Sequence, residues 1–181
     1  FDTGYRSTLN PLIIASGPNS SLPHAQVTKR KFADGDMITV DLTLRYKGYV
    51  SDATRTFGLG SISKEVRTVY EIVKESQKAG LKAVRPQKTC ASVDDACRKI
   101  ITEHSYGPHF IHSTGHGIGL DVHENPNISG KSKEKLKKDM AITVEPGIYI
   151  PKKFGVRIED SLIVKDRAAV MHKFTKDLIV I

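Results

Sequence analysis

The stretch Val40–Phe57 constrains the fold more than any other, because it has the pattern of a β-hairpin. Apolar and polar residues alternate along its first half, which is typical of a half-buried strand. A Lys47-Gly48 turn then reverses the chain into a second strand. The spacing predicts that the hairpin closes around Tyr46-Lys47 and that Asp41 and Asp52 lie directly opposite each other.

Two opposed carboxylates would lie close enough to share a cation. The Cβ atoms of cross-strand neighbours are about 4.5–5.5 Å apart. Two negative charges at that distance repel each other and raise the pKa of one of them, unless a positive charge lies between them. Asp41 and Asp52 therefore predict a metal site on this hairpin.

A second predicted hairpin carries another pair of acids. It consists of the strand Met140–Glu145, turn residues at Pro151–Gly155 and the strand Val156–Val164. In this hairpin Glu145 and Glu159 lie opposite each other among apolar residues. Acids in such surroundings need a counter-charge, so this pair also indicates a cation.

The segment Gly107–Glu124 supplies nitrogen ligands, since it holds four of the seven histidines and four glycines. Glycines at this density let the backbone approach a ligand closely, and a neutral imidazole is the commonest transition-metal ligand. The predicted metal ligands are four carboxylates and one imidazole: Asp41, Asp52, His116, Glu145 and Glu159. This oxygen-rich set suits Mn²⁺, Co²⁺, Fe²⁺ or Zn²⁺.

Two such ions would offset the charge of the four carboxylates and activate a water molecule. Metals about 3.5–4 Å apart can hold one water and lower its pKa towards neutrality, which makes it a nucleophile for an amide carbonyl. Nearby histidines can then stabilise the oxyanion and help to protonate the leaving nitrogen. The ligand set thus predicts hydrolysis of a peptide-like bond.

The remaining segments read as packing elements. A short apolar strand is predicted at Pro11–Ser16 and closing strands at Arg167–Ile181. A helix capped by Ser63 should run to about Val84, where a following proline stops it, and a second helix, capped by Ser92, should end near residue 104.

Length and composition predict a single domain that is not embedded in a membrane. The chain has 181 residues, and no apolar run reaches the roughly 18 residues of a membrane span. Two cysteines, Cys90 and Cys97, are too few for a disulfide framework and indicate free thiols in the cytoplasm. The net charge of +8 is spread along the chain, and its densest cluster, Lys131–Lys138, lacks interleaved aromatic residues. No specific nucleic-acid partner is expected.

Five motifs carry a resemblance to a known family. They are Asp41 and Asp52 with ten residues between them, GHGIG at 115–119, HE at 123–124, EPG at 145–147 and RIED at 157–160. Together they resemble the metallopeptidases with the pita-bread fold, which comprise methionine aminopeptidases, aminopeptidase P and prolidase (Xaa-Pro dipeptidase). The match runs from about His24 to Asp160, and it implies an α+β domain with a curved antiparallel sheet covered by helices.

The resemblance also assigns roles to residues. Asp41 would bind one metal, His116 and Glu145 the other, while Asp52 and Glu159 would bridge both. The catalytic residues would be Glu145, as general acid and base, together with His123 and His24. The substrate would contact His24, His112, His123 and Arg157.

Two positions resemble the proline-specific branch of the family: His112, four residues before His116, and Arg157, two residues before Glu159. The implied substrate is a short peptide with proline in second position, cleaved before the proline with the help of two divalent ions. Mn²⁺ or Co²⁺ is expected first, then Fe²⁺ or Zn²⁺. The alternatives are a methionine aminopeptidase and, in another class, a non-catalytic pita-bread module that binds peptides or nucleic acid.

The resemblance further implies a catalytic domain without its usual neighbour. Residues 1–181 would form one catalytic domain that lacks the N-terminal domain and the first helices of these enzymes, and residues 1–10 match the family pattern poorly. In its full-length form the protein would be a homodimer.

Overall fold

The computed structural model describes residues 5–7 and 12–181. In this part of the chain there are eleven strands and two α-helices. The strands are β1 (Tyr5–Ser7), β2 (Ile13–Ser16), β3 (Met37–Tyr46), β4 (Tyr49–Gly58), β5 (Gly115–Gly117), β6 (Glu124–Ile128), β7 (Ala141–Val144), β8 (Gly147–Ile150), β9 (Phe154–Arg157), β10 (Asp160–Val164) and β11 (Ala168–Val170). The helices are α1 (Lys64–Ala83) and α2 (Cys90–Glu103).

The strands form two antiparallel sheets and a small hairpin. In the first sheet, β3 pairs with β4 on one side and with β1 and β2 on the other. The second sheet has the order β11-β10-β7-β5-β6, and β8 pairs with β9 alone. The two helices pack on each other, and their buried faces share one apolar core with β7, β8, β9 and β10. The expected combination of antiparallel sheet and covering helices is confirmed.

The first hairpin has a register two residues away from the predicted one. Asp41 pairs with Thr54 and Asp52 pairs with Thr43, so the prediction that the two acids lie directly opposite each other was wrong. The cause is the turn: Lys47 and Gly48 both have positive φ, 48° and 89°, as a two-residue hairpin turn of type I′ requires. The acids nevertheless share one face as diagonal neighbours, because side chains alternate along a strand.

The second hairpin has the predicted register, but its strands are interrupted. The β7–β10 pair and the β8–β9 pair have the same register, and the hairpin closes in a turn after Ile150. The predicted continuous strand Val156–Val164 is wrong, since the ladder breaks at Glu159. The backbone N–H of Glu159 donates instead to the carbonyl of Thr54 in β4, at 3.0 Å, and so joins the two sheets.

The helices largely follow expectation. The Ser63 side chain caps α1 by accepting a hydrogen bond from the N–H of Val66. The predicted cap of α2 was wrong: the helix starts at Cys90, because the Thr89 hydroxyl accepts from the N–H of Ser92.

The predicted terminal strands are shorter than expected. The N-terminal one is confirmed over β2, although its Ile14 is exposed, and Pro11 lies outside the described residues. In the tail, β11 forms, and beyond it the described chain adds an isolated bridge between Gly58 and Val180. No helix in the described ranges is long and apolar enough to cross a membrane.

Candidate metal centre and active site

The structure brings all nine predicted site residues to one cavity of about 890 Å³. They are His24, Asp41, Asp52, His112, His116, His123, Glu145, Arg157 and Glu159. They come from separate stretches of the chain, so that the cavity exists only when both sheets are assembled.

The five predicted ligands project from strands or from strand ends. Asp41 and Asp52 lie on β3 and β4, and His116 is the central residue of β5. Glu145 follows β7 and Glu159 precedes β10, where the second hairpin is interrupted. The placement of His116 depends on a glycine before it, because a Cβ on Gly115 would lie 2.1 Å from the Thr143 carbonyl oxygen of β7.

Three of these side chains have the spacing of a metal site. Ligand atoms of Asp52, His116 and Glu159 all lie within 4.8 Å of one another. His116 Nε2 is 3.2 Å from Glu145 Oε1 and 3.9 Å from Asp52 Oδ2. Its Nδ1 lies 2.9 Å from the Gly117 carbonyl oxygen, to which it can donate a proton. In the metal-free protein Nε2 donates to Glu145, and this hydrogen bond raises the pKa of His116 against the opposing effect of burial. Because Nδ1 is held by the carbonyl, loss of the Nε2 proton would leave a lone pair pointing at the carboxylates, as in a ligating histidine.

The electrostatics show that the cluster has too much negative charge for its surroundings. Burial raises the pKa of Asp52 to about 7, helped by the nearby charges of Asp41 and Glu145. Burial also raises the pKa of Glu159 far above its ordinary value, and the negative charges of Glu145 and Asp52 raise it further. Carboxylates in such a site ionise readily only when a cation is added.

Glu159 supplies the test of whether a cation fits. Its Oε2 accepts a hydrogen bond from the Thr54 hydroxyl at 2.6 Å. Its Oε1 is buried and has no hydrogen-bond partner among residues 5–7 and 12–181. An unpartnered buried carboxylate oxygen is costly, and a metal ion would satisfy it. The donor set, four carboxylates and an imidazole, therefore fits hard divalent cations.

The stabilisation of the protein by Mn²⁺ should increase as the pH rises from about 6 to about 8. Asp52 and Glu159 retain protons in the metal-free protein because their pKa values are raised, and a cation has to displace those protons. The same raised pKa of Asp52 makes the metal-free protein lose stability between its unfolded value of 3.8 and about 7. Melting temperatures with and without Mn²⁺ across this range test the prediction, and a shift that is independent of pH contradicts it.

Arg157 is buried against a predicted ligand. Its Nη2 donates to Asp41 Oδ2 at 2.6 Å, its Nη1 to the Tyr149 hydroxyl at 2.7 Å and its Nε to the Thr54 hydroxyl at 3.2 Å. The side chain borders the cavity, yet these hydrogen bonds direct its guanidinium N–H groups to protein acceptors and not into the open space of the cavity. Its geometry suits the fixing of Asp41 better than a direct contact with substrate.

The three predicted substrate histidines lie around the cavity at different depths. His24 and His123 are exposed, and the His123 ring lies edge-on to the His116 ring with centroids 4.4 Å apart. His112 is more enclosed: its Nε2 lies 2.9 Å from the Tyr149 hydroxyl and its Nδ1 2.8 Å from the Ser113 carbonyl. Two imidazoles are thus open to a ligand, while the third is held by its neighbours.

Sequence reasoning missed four side chains that hold residues of the site: three threonines, Thr43, Thr54 and Thr143, and Tyr149, whose hydroxyl accepts from Arg157. The three threonine hydroxyls donate to the carboxylates of Asp52, Glu159 and Glu145 respectively. A signal was available, because each threonine stands two positions from one of the acids on its own strand: 41, 52 and 145. Side chains two apart share one face of a strand.

Comparison with known proteins agrees with this geometry. Residues 2–166 match the model of metallopeptidase family M24. The Xaa-Pro dipeptidase of Pyrococcus furiosus is 47% identical over 157 residues, which are 87% of this chain and 45% of that protein. An uncharacterized peptidase of Bacillus subtilis is 40% identical over 98% of this chain and 51% of its own length.

Solved structures show the same fold. Prolidase from Thermococcus sibiricus superposes with a TM-score of 0.92 at 44% identity, covering 94% of this chain and 47% of that one. X-Pro aminopeptidase from Thermotoga maritima has a TM-score of 0.91 at 38% identity, over 94% of this chain and 49% of that one. The pita-bread fold implied by the motifs is thereby confirmed. The chain spans about half the length of the curated relatives that it matches, and it belongs to metallopeptidase family M24.

Proposed function

We propose that the chain forms the catalytic part of a dinuclear metallopeptidase that removes the residue before proline from short peptides. The observation that carries this proposal is the meeting of four carboxylates and one imidazole in a single cavity, where a buried Glu159 oxygen has no hydrogen-bond partner in the described part of the chain. The identity to relatives named Xaa-Pro dipeptidase supports the choice of substrate.

The residues that would hold the two metals divide into three groups. Asp41 would serve one ion, His116 and Glu145 would serve the other, and Asp52 and Glu159 would contribute to holding both. When bound, two divalent ions would supply an acidified water and polarise the scissile carbonyl. Mn²⁺ or Co²⁺ is the proposed choice, with Fe²⁺ and Zn²⁺ as further ions that the same ligands accept.

Glu145 is suited to move the proton. Burial opposes its ionisation, but the hydrogen bond with His116 lowers its pKa, so the carboxylate is charged and able to accept a proton at neutral pH. Glu145 would take a proton from the attacking water and return it to the leaving nitrogen of proline.

His24 and His123 are suited to hold the scissile carbonyl. Both line the cavity and are exposed to it, so that their ring N–H groups are free to turn towards a ligand. Burial and the neighbouring His116 lower the pKa of His123. A neutral imidazole there donates a hydrogen bond to the developing oxyanion, without a positive charge that would repel a metal ion.

The wider setting follows from the same proposal. The substrate would be a short peptide with proline second. The full-length protein would be a homodimer in the cytoplasm, which agrees with the free, buried thiols of Cys90 and Cys97.

A panel of peptides with Mn²⁺ or Co²⁺ added tests the proposed substrate. We expect cleavage of an Xaa-Pro dipeptide or an Xaa-Pro-Xaa tripeptide, and no cleavage of a Met-Ala-type peptide. Asp52→Asn should abolish the activity, while Asp166→Asn, the same chemical change at an exposed site, should leave it unchanged. Preference for the Met-Ala peptide would identify a methionine aminopeptidase, and tight peptide binding without any turnover would identify a binding module.

A further inference from the structure

A second charged cluster lies directly behind the metal centre, around Asp160. This carboxylate is fully buried and follows Glu159 in the chain. Its Oδ1 is 2.7 Å from Arg55 Nη2, and its Oδ2 is 2.6 Å from Lys176 Nζ and 3.0 Å from Gln77 Nε2. Asp160 therefore ties β10 to β4, to α1 and to the C-terminal tail.

Arg55 connects this cluster to the backbone of the proposed ligand. Its Nη1 donates to the carbonyl of Glu159 at 2.5 Å and to the carbonyl of Thr54 at 2.9 Å. The same Thr54 carbonyl accepts the N–H of Glu159, and the Thr54 hydroxyl donates to the Glu159 carboxylate. Both peptide groups of Glu159 are thus fixed through Arg55 and Thr54.

The tail completes the cluster. We call residues 172–177 the C-terminal strap. The strap carbonyl of Thr175 accepts from Arg55 Nε at 2.9 Å, and Tyr70 of α1 donates to the carbonyl of Lys176 at 3.2 Å. Asp177 pairs with Lys74 of α1 at 2.9 Å. The strap lies beyond residue 166, where the match to the family model ends.

We propose that the C-terminal strap positions Glu159 for metal binding, with Lys176 as its principal positioning residue. Lys176 and Arg55 share the charge of Asp160, which leaves Arg55 free to hold the Glu159 carbonyl. Without the lysine, Arg55 would be the one permanently charged partner left to Asp160, beside the Gln77 amide and the His172 ring at 3.6 Å, and the hydrogen bond to the Glu159 carbonyl would weaken. The inference rests on the proposed function, because it takes Glu159 as a metal ligand.

The sign of the effect separates positioning from simple electrostatics. Removing a positive charge near a cation site favours cation binding through Coulomb's law. A positioning role predicts the opposite, since the loss of groups that orient a ligand costs about 10- to 100-fold in metal affinity or activity. Weaker metal binding after loss of Lys176 therefore cannot be a direct charge effect.

Calorimetric titration of the metal-free protein with Mn²⁺ tests the inference. For Lys176→Gln we expect the affinity for Mn²⁺ to fall about tenfold, with kcat lowered and KM little changed. Lys176→Arg should restore the affinity, because it returns the charge. Lys173→Gln is the matched control, since it makes the same change at an exposed position of the strap, and it should bind as the wild type does.

A second variant guards against a folding defect of the first. Gln77→Met removes the other donor to Asp160 Oδ2 from the side of α1 and should weaken Mn²⁺ binding in the same direction. Unchanged or tighter binding in the folded variants would overturn the inference while the proposed metal site stands. No Mn²⁺ binding by the wild type would overturn both.

Discussion

Replacing Glu159 with glutamine should abolish metal-dependent hydrolysis without destabilising the metal-free protein. The glutamate is buried, one of its oxygens lacks a hydrogen-bond partner among the residues that the structure describes, and its pKa is strongly raised, so its ionised form is unfavourable until a cation arrives. Glutamine has nearly the same shape and no charge. We expect kcat/KM to fall at least about 1,000-fold, because a proposed shared ligand of both ions is lost.

Thermal unfolding separates this effect from misfolding. Mn²⁺ at a hundredfold excess over its Kd should stabilise the wild type by about 2.7 kcal/mol for each ion bound, which raises the melting temperature by roughly 5–10 °C per ion. The Glu159→Gln protein should melt like the metal-free wild type and show little response to Mn²⁺. Glu134→Gln, at an exposed loop position, is the control and should respond fully. A Glu159→Gln protein with an undiminished Mn²⁺ response would refute the assignment of this ligand.

Replacing Arg157 with methionine should cost both stability and turnover. The guanidinium is buried and donates to Asp41, so its loss leaves a carboxylate without its partner. Breaking a buried ion pair in this way typically destabilises a protein by about 3–5 kcal/mol. Asp41 would also lose its orientation, and we expect kcat to fall about 100-fold or more with a small change in KM.

The kinetic pattern distinguishes the two roles considered for Arg157. If this side chain bound the substrate, the main effect would be on KM, and a lysine there would preserve part of the binding. If it fixes Asp41, Arg157→Lys should remain impaired, since the single nitrogen of lysine cannot reach the three separate acceptors that the guanidinium contacts through Nε, Nη1 and Nη2. Arg67→Met, on the exposed face of α1, controls for the loss of an arginine. A raised KM with normal kcat would return Arg157 to the substrate site.

The meeting of the predicted acids and His116 at one cavity was predictable from the sequence, because these residue types occur there in an unusual pattern. Two pairs of acids in predicted strands, together with a histidine flanked by glycines, are a pattern typical of a cation site. The register of Glu145 and Glu159 was also predictable, since the turn residues around Lys152 leave few other ways to close that hairpin.

The geometry of the first hairpin was not predictable in the same way. Its register depends on Lys47 adopting a positive φ, which is uncommon for a residue with a side chain. Two further features, the break in the second hairpin and the position of the C-terminal tail, depend on contacts between residues far apart in the sequence. The break at Glu159 follows from its hydrogen bond to Thr54 across the sheets. The contact of Lys176 with Asp160, on which its proposed role rests, lies in a tail for which the sequence pattern predicts only strands.

Counting the metal ions bound to the purified protein tests the central claim most directly. Metal-free protein would be titrated with Mn²⁺ in a calorimeter, and the bound metal would be quantified by mass spectrometry. We expect saturation at about two ions per chain, and a clear loss of bound metal in Asp52→Asn, which removes a residue proposed to bind both ions. Absence of saturable binding, or an unchanged count in Asp52→Asn, would contradict it.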